Sequence, residues 1–209
     1  MQKKTLSQNF NEKTKVSKFL ETNSSQSWPE EWKRIYFKSY PRFENIKLPK
    51  EQSINVSLRN SFNLRKSSRH FIKIPINLSQ ISTLLFYSCG VMAKNKKDEN
   101  DLNFWNKSKR FYPSAGARFP LETYLTILNI KGLGEGVYHY NVKKHSLEFM
   151  WGGNYPKQIV ENIHDDWVKN AAAIIMVSAV FPRTEIKYGD RGLRYIYIEA
   201  GHMAQNLYL

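Results

Sequence analysis

Three short runs between Leu121 and Trp151 constrain the fold more than anything else in the chain. "LETYLTILN" alternates and is rich in β-branched and aromatic residues, and "GVYHYN" and "SLEFMW" share its character. Such runs fit a pleated, half-buried surface. The "VKKH" between the last two reads as a turn, so the pair is expected to form a hairpin and its surroundings an antiparallel sheet.

Downstream, "AAAIIMVSAVF" is a continuous apolar run, the pattern of a strand buried on both faces. Helical spacing flanks these strands. "NLSQISTLLFYSCGV" sets Leu78, Ile81, Leu84 and Leu85 along one face, with Ser79 expected as N-cap and Gly90 as the stop. "PKQIVENIHDDWVKN" aligns Ile159, Val160, Ile163 and Trp167, and "RYIYIEAGHMAQNLYL" aligns Ile196, Ala200, Met203, Ala204 and Leu207. That last stripe is expected to be buried, at a dimer interface or against the sheet. The fold class these patterns predict is α+β, a mostly antiparallel sheet with flanking helices. Residues 1–60, polar and dotted with aromatics, are expected to be an accessory helical segment. Trp28, Trp32, Ile35 and Tyr36 recur there at spacings of three and four, so a short helix is expected after Pro29. Residues 61–209 form the main domain.

Composition narrows the function classes. The N-terminus has no apolar core of a secretory signal, and the longest nearly apolar run, Ala171 to Phe181, is too short to span a bilayer. A single cysteine, Cys89, excludes an internal disulfide and fits a reducing compartment, so the expected location is the cytoplasm. The five histidines lack metal-like spacing, and no metal site is expected. The formal charge is +14, and residues 61–110 hold ten Lys/Arg against three Asp/Glu. A positive field of that size attracts an anionic partner. No zinc-finger, RNP-type or other nucleic-acid signature accompanies it, so a nucleic-acid role would rest on charge alone. The segment "VMAKNKKDENDLNFWNKSK" reads as a charged, lysine-rich loop.

Three motifs can carry chemistry. "RKSSR" sets Arg65, Ser67 and Arg69 at alternating positions; in an extended segment these two guanidinium groups and a hydroxyl would face one way and could clamp a phosphate. A basic surface loop explains the string equally well. "YPSAGARFP" is a small-residue loop between prolines, whose Ser114, Ala115 and Gly116 let backbone amides approach a flat or anionic ligand. A plain turn would also look like this. "KYGDRGLRY" places Lys187 beside Tyr188, two groups whose pKa values a desolvated cleft near other cations could push down to give a base, with Gly189 and Gly192 free to bend. A solvated loop is the alternative.

Together, in this order, the motifs resemble the SagB-type dehydrogenases, a branch of the nitroreductase-like FMN flavoproteins that includes oxidases of thiazolines and oxazolines in ribosomally made peptides. The matching stretches are "RKSSRHF", "YPSAGARFPLETYL", "GLGEGVYHYN" and "KYGDRGLRYIYIEAGHMAQNLYL", spanning about Arg65 to Leu209. The resemblance implies a nitroreductase-like sandwich, a homodimer with FMN at the subunit interface, a peptide substrate and a neighbouring cyclodehydratase. Arg65, Ser67 and Arg69 match the cofactor motif for phosphate and ribityl; Ser114, Ala115 and Gly116 match the loop beside the flavin. Lys187 and Tyr188 match the pair implicated in azoline oxidation, and Gly189 would lie near the reactive edge of the ring. Members of that branch continue past the "AGHMAQNLYL" helix, so the chain is expected to be truncated at its C-terminus. A generic NAD(P)H-dependent nitroreductase and a non-catalytic, peptide-binding scaffold subunit are the alternative functions.

Overall fold

The computed structural model describes residues 5–15, 29–92 and 102–209. At its centre is an antiparallel sheet of five strands in the order β1-β6-β5-β3-β7. The strands are β1 (Asn45–Lys47), β3 (Leu121–Ile127), β5 (Gly136–Asn141), β6 (Ser146–Trp151) and β7 (Ala173–Ala179), and a two-residue parallel pair joins β2 (Ile76–Asn77) to β4 (Ile130–Lys131). The β5–β6 hairpin turns over residues 142–145, where the sequence places it, and the register slips between Val137 and Tyr138.

β3 is the interior strand on which the site depends. It pairs with β5 on one side, Tyr124 opposite His139, and with β7 on the other, Leu121 opposite Ala179. The apolar run of β7 was expected to be buried on both faces. Instead β7 is an outermost strand paired only with β3 among the described residues, and Val177 is 41% exposed. Its apolar character therefore does not mark a central position.

The helices are α1 (Leu6–Lys13), α2 (Glu30–Lys33), α3 (Leu58–Leu64), α4 (Leu78–Cys89), α5 (Leu102–Asn106), α6 (Tyr155–Glu161), α7 (Pro182–Tyr188) and α8 (Gly192–Tyr208). α4 and α8 pack on each other, and α8 also meets β3. Ile81 and Leu85 of α4 join Ile196 and Met203 of α8, together with Leu125 and Ile127 of β3, in one core. The stripe predicted on the last helix thus faces the core.

Several local expectations change. The N-cap of α4 is Asn77, not Ser79: the Asn77 side chain accepts from the Gln80 N–H while the Gln80 side chain accepts from the Asn77 N–H. The helix expected to run to Trp167 stops at Glu161, and Asp166–Asn170 is a separate 3₁₀ turn with only Val168 buried. The helix after Pro29 has four residues; Ile35 beyond it is buried, Tyr36 is exposed, and Trp28 and the Trp32 side chain lie outside the described residues. Of the segment expected to be a lysine-rich loop, residues 93–101 are also outside them, and Leu102–Asn106 is helix α5, not loop. Part of the first sixty residues is built into the main fold, since β1 pairs with β6 and Leu48 enters the core.

Candidate active site

Lys187 and Tyr188 were expected on a loop, but they form the last turn of α7. Pro182 suits the first turn of that helix, and Gly189 ends it at φ 54°, ψ −148°, a conformation only glycine adopts without strain. A 3₁₀ turn, Gly189–Arg191, then leads directly into α8. The polar string "KYGDRGLRY" is therefore a corner between two helices.

That corner meets the 114–116 loop. Residues Ala115–Ala117 form a 3₁₀ turn in which Gly116 has φ 58°, as its small-residue sequence suggested. The Ser114 hydroxyl accepts the Phe119 N–H at 2.8 Å and closes the turn, so its side chain has an internal task. A Cβ placed on Gly116 would lie 2.6 Å from Tyr188 Oη and 2.9 Å from Lys187 Nζ. The ammonium and the phenol thus converge on one glycine, from an element seventy residues downstream. Lys187 Nζ also sits 5.5 Å from the centre of the Tyr188 ring, and Tyr188 packs edge-on to Tyr195 at 4.8 Å.

The electrostatics of the pair differ from the expectation in two respects. Burial lowers the Lys187 pKa and the nearby Arg118 guanidinium lowers it further, which favours the neutral amine. Burial raises the Tyr188 pKa, so the phenol stays protonated and no tyrosinate is favoured. The nearby cation acting on both groups is Arg118, and not Arg191 or Arg194, the two arginines of "KYGDRGLRY" itself. Those two turn to α1: Arg191 donates to the Thr14 carbonyl at 2.9 Å, and Arg194 donates to Thr14 Oγ1 and to Asn11 Oδ1.

Two acids missed in the sequence frame the site. Glu199, on α8 and 2% exposed, accepts the Ala115 N–H at 2.9 Å. Glu122, at the end of the "PSAGARFPLE" string, pairs with Arg183 of α7 at 2.5 Å and faces His139 Nε2 at 3.1 Å. His139 Nδ1 lies 2.8 Å from Glu148, so both ring nitrogens face carboxylates. Arg183 also donates to the Phe119 carbonyl at 3.1 Å. α7 is therefore fastened to the 114–119 loop at its first turn through Arg183 and meets it again at its last. Two buried carboxylates, an imidazole and a guanidinium on four elements leave no spacing signature, which is why they were not legible.

Arg65, Ser67 and Arg69 follow α3 in a stretch without regular structure, and all three are exposed. Their side chains have no ion pair or hydrogen bond to another described residue. Two guanidinium groups without a carboxylate partner among the described residues suit a phosphate in charge and donor chemistry. The structure does not bring them into contact with Gly116 or Lys187. A groove of about 1480 Å³ lined by Phe37, Lys50, Trp105 and Lys143, among others, contains none of the site residues.

The nitroreductase family profile matches residues 64–209. A provisionally named nitroreductase of Methanocaldococcus jannaschii is 33% identical over 146 residues, 69% of this chain and 68% of that protein. Among solved structures, a provisionally named nitroreductase of Anabaena variabilis superposes with a TM-score of 0.69 at 19% identity, covering 96% of this chain but only 38% of that one. The E. coli microcin synthetase McbBCD complex with truncated pro-MccB17 bound contains a chain with a TM-score of 0.52 at 22% identity, covering 95% of this chain and 70% of that chain. With two thirds of its length matched by the family and its sheet and helices arranged as in these structures, the chain belongs to the nitroreductase family.

Proposed function

We propose that the protein is an FMN-dependent dehydrogenase that aromatises thiazoline or oxazoline rings in a ribosomally made peptide. It would act in the cytoplasm, as a homodimer beside a cyclodehydratase. The observation that carries this reading is the convergence of Lys187 Nζ and Tyr188 Oη on Gly116. A nitroreductase acting on a small acceptor needs no such base. The neighbour solved with a pro-peptide bound is consistent with a peptide substrate.

FMN would be held by Arg65 and Arg69 at its phosphate and by Ser67 at the ribityl chain, with Ser114, Ala115, Gly116 and Gly189 beside the ring. Bound there, it supplies a two-electron acceptor. Aromatising an azoline removes two hydrogens, one of them as a proton, and that proton falls to this chain's residues. Neutral Lys187 takes it; Tyr188, kept protonated by burial, donates a hydrogen bond that orients the reacting group. Exposed Leu58, Phe62, Leu64, Ile72 and Ile74 flank the Arg65–Arg69 stretch, and Tyr197 and Ile198 are exposed on α8; a partner subunit would cover such surfaces.

The test is an azoline-containing peptide incubated with flavin-loaded protein, scored by the mass of two hydrogens lost per ring. Lys187→Ala and Tyr188→Phe are each expected to slow turnover by about 10²–10⁴-fold with flavin retained, and the double variant little more, since the two act as a unit. Arg69→Ala should release flavin and lower the melting temperature together. Parent-like turnover in both single variants removes the assignment of the pair. A parent protein that binds no FMN and oxidises nothing leaves a non-catalytic scaffold as the function.

A further inference from the structure

Glu199 is only half explained by the fold. Its Oε1 accepts the Ala115 N–H, a bond that a glutamine carbonyl would accept equally well. Its Oε2 is buried and has no hydrogen-bond partner among the described residues. Buried carboxyl oxygens are normally satisfied, because a desolvated acceptor without a donor is unfavourable, so a free one calls for a function. The groups around it are themselves proton carriers. Beside it stand the Tyr112 hydroxyl, buried and also without a partner, the Ser114 hydroxyl and Tyr188 of α7; Lys187, Arg118 and Tyr195 in turn surround Tyr188. Arg110, Cys89 of α4 and Glu122 of β3 also act on Tyr112, the arginine in the opposite sense to the other two. The Glu199 carboxylate acts directly on both Tyr112 and Tyr188.

We infer that Glu199 is the proton-holding residue of this site: its free oxygen receives the proton that leaves the Lys187–Tyr188 pair, while its other oxygen holds the 114–116 loop in place. The inference rests on the proton-abstraction reading above. In the step, an N–H or O–H bond of the pair breaks and an O–H bond forms on Glu199. The carboxylate becomes the neutral acid, and no electron is transferred at this residue. Such a role needs a carboxyl with both states accessible near neutrality. Burial pushes Glu199 up to about 7, against the opposing effects of the Ala115 N–H bond and the nearby Ser114 hydroxyl.

The experiment is a pH titration of glutamate carboxyl carbons by NMR, with FMN added, in the parent, Glu199→Gln and Tyr188→Phe. One carboxyl titrating near pH 7 is expected in the parent, absent from Glu199→Gln and moved in Tyr188→Phe. A raised carboxyl contributes stability fully present below pH 4.5 and lost as the pH rises through about 7, so the parent's melting temperature relative to Glu199→Gln should fall across that window. On an azoline peptide, Glu199→Gln should turn over about 10²-fold more slowly, with a flattened rate–pH profile and unchanged flavin occupancy. A Glu199 that titrates in the ordinary carboxylate range, or that Tyr188→Phe leaves unmoved, overturns the inference whatever the turnover shows. Tyr188→Phe carries this test even where Glu199→Gln fails to fold. A near-neutral titration coupled to Tyr188 in a parent that oxidises no azoline supports the proton-holding role and overturns the substrate reading alone.

Discussion

At the scale of single residues, the site turns on Gly116. Its φ of 58° disfavours any side chain by about 1–2 kcal/mol, and a methyl group there would displace both Tyr188 Oη and Lys187 Nζ. Gly116→Ala should therefore destabilise the protein by at least that amount in chemical denaturation and weaken flavin uptake at the same time. Unchanged stability would mean that the loop relaxes freely and that the convergence is not fixed. Lys187 allows a second prediction, about pH. Its pKa lies below the usual 10.5 because burial and Arg118 disfavour the cation. Turnover should rise with pH as the amine loses its proton below 10.5, and Lys187→Met should remove that limb of the rate–pH profile. Folding linkage has the same sign: the unfolded chain holds the lysine proton to higher pH, so the parent gains stability relative to Lys187→Met as pH rises towards 10.5. These residues were legible as motifs. That α7 ends at Gly189, and that only the lysine of the pair is shifted in the useful direction, depended on neighbours supplied by other elements.

Among the elements, α4 and α8 hold the site from below. Met203 of α8 is fully buried in the core that α4 also joins, and Met203→Ala should cost about 2–5 kcal/mol, the loss of buried methylenes plus an unfilled cavity. Asn77→Ala removes only the cap and half of its capping box, and should cost about 1 kcal/mol. Thermal melts of the two variants should preserve that order; a reversed order would place α8 outside the core. Helical spacing located both helices, because a face buried on a core has to repeat every three or four residues. It failed for the stretch after Glu161, where Ile163 and Trp167 keep the helical spacing but Ile163 lies in a bend and Trp167 in a separate 3₁₀ turn. It also could not rank strands. An apolar run records that side chains leave water, not which layer removes them, and among the described residues β7 is paired along one edge only, with β3.

Across the whole molecule, the polar interior joins the sheet to the chemistry. Glu122, Glu148, His139 and Arg183 form a buried cluster with two acids and two bases, tying β3, β5 and β6 to α7. Burial works against the Glu122 carboxylate, yet the His139 and Arg183 contacts outweigh it and hold its pKa below the usual 4.5. Its contribution is therefore present above pH 4.5 and lost as the pH falls through the lower folded value. Arg183→Met should leave Glu122 with an uncompensated charge and destabilise the protein by about 3–5 kcal/mol at neutral pH, less in acid, where the carboxyl is neutralised. A melting temperature unchanged at pH 7 would exclude a coupled cluster. The sequence by itself determined the class of fold, the hairpin to the residue, the two core helices and the three motifs proposed to carry the chemistry. Each of these is written in local spacing or in a contiguous string. Only the tertiary structure decided that Lys187 and Tyr188 meet Gly116, that Glu199 is bonded to the loop beside them and Glu122 to the first turn of the same helix, that Arg191 and Arg194 turn away, and that β7 is outermost among the described strands. Such relations join residues far apart along the chain, and they are set by how sheet and helices pack, which no periodicity in the sequence encodes.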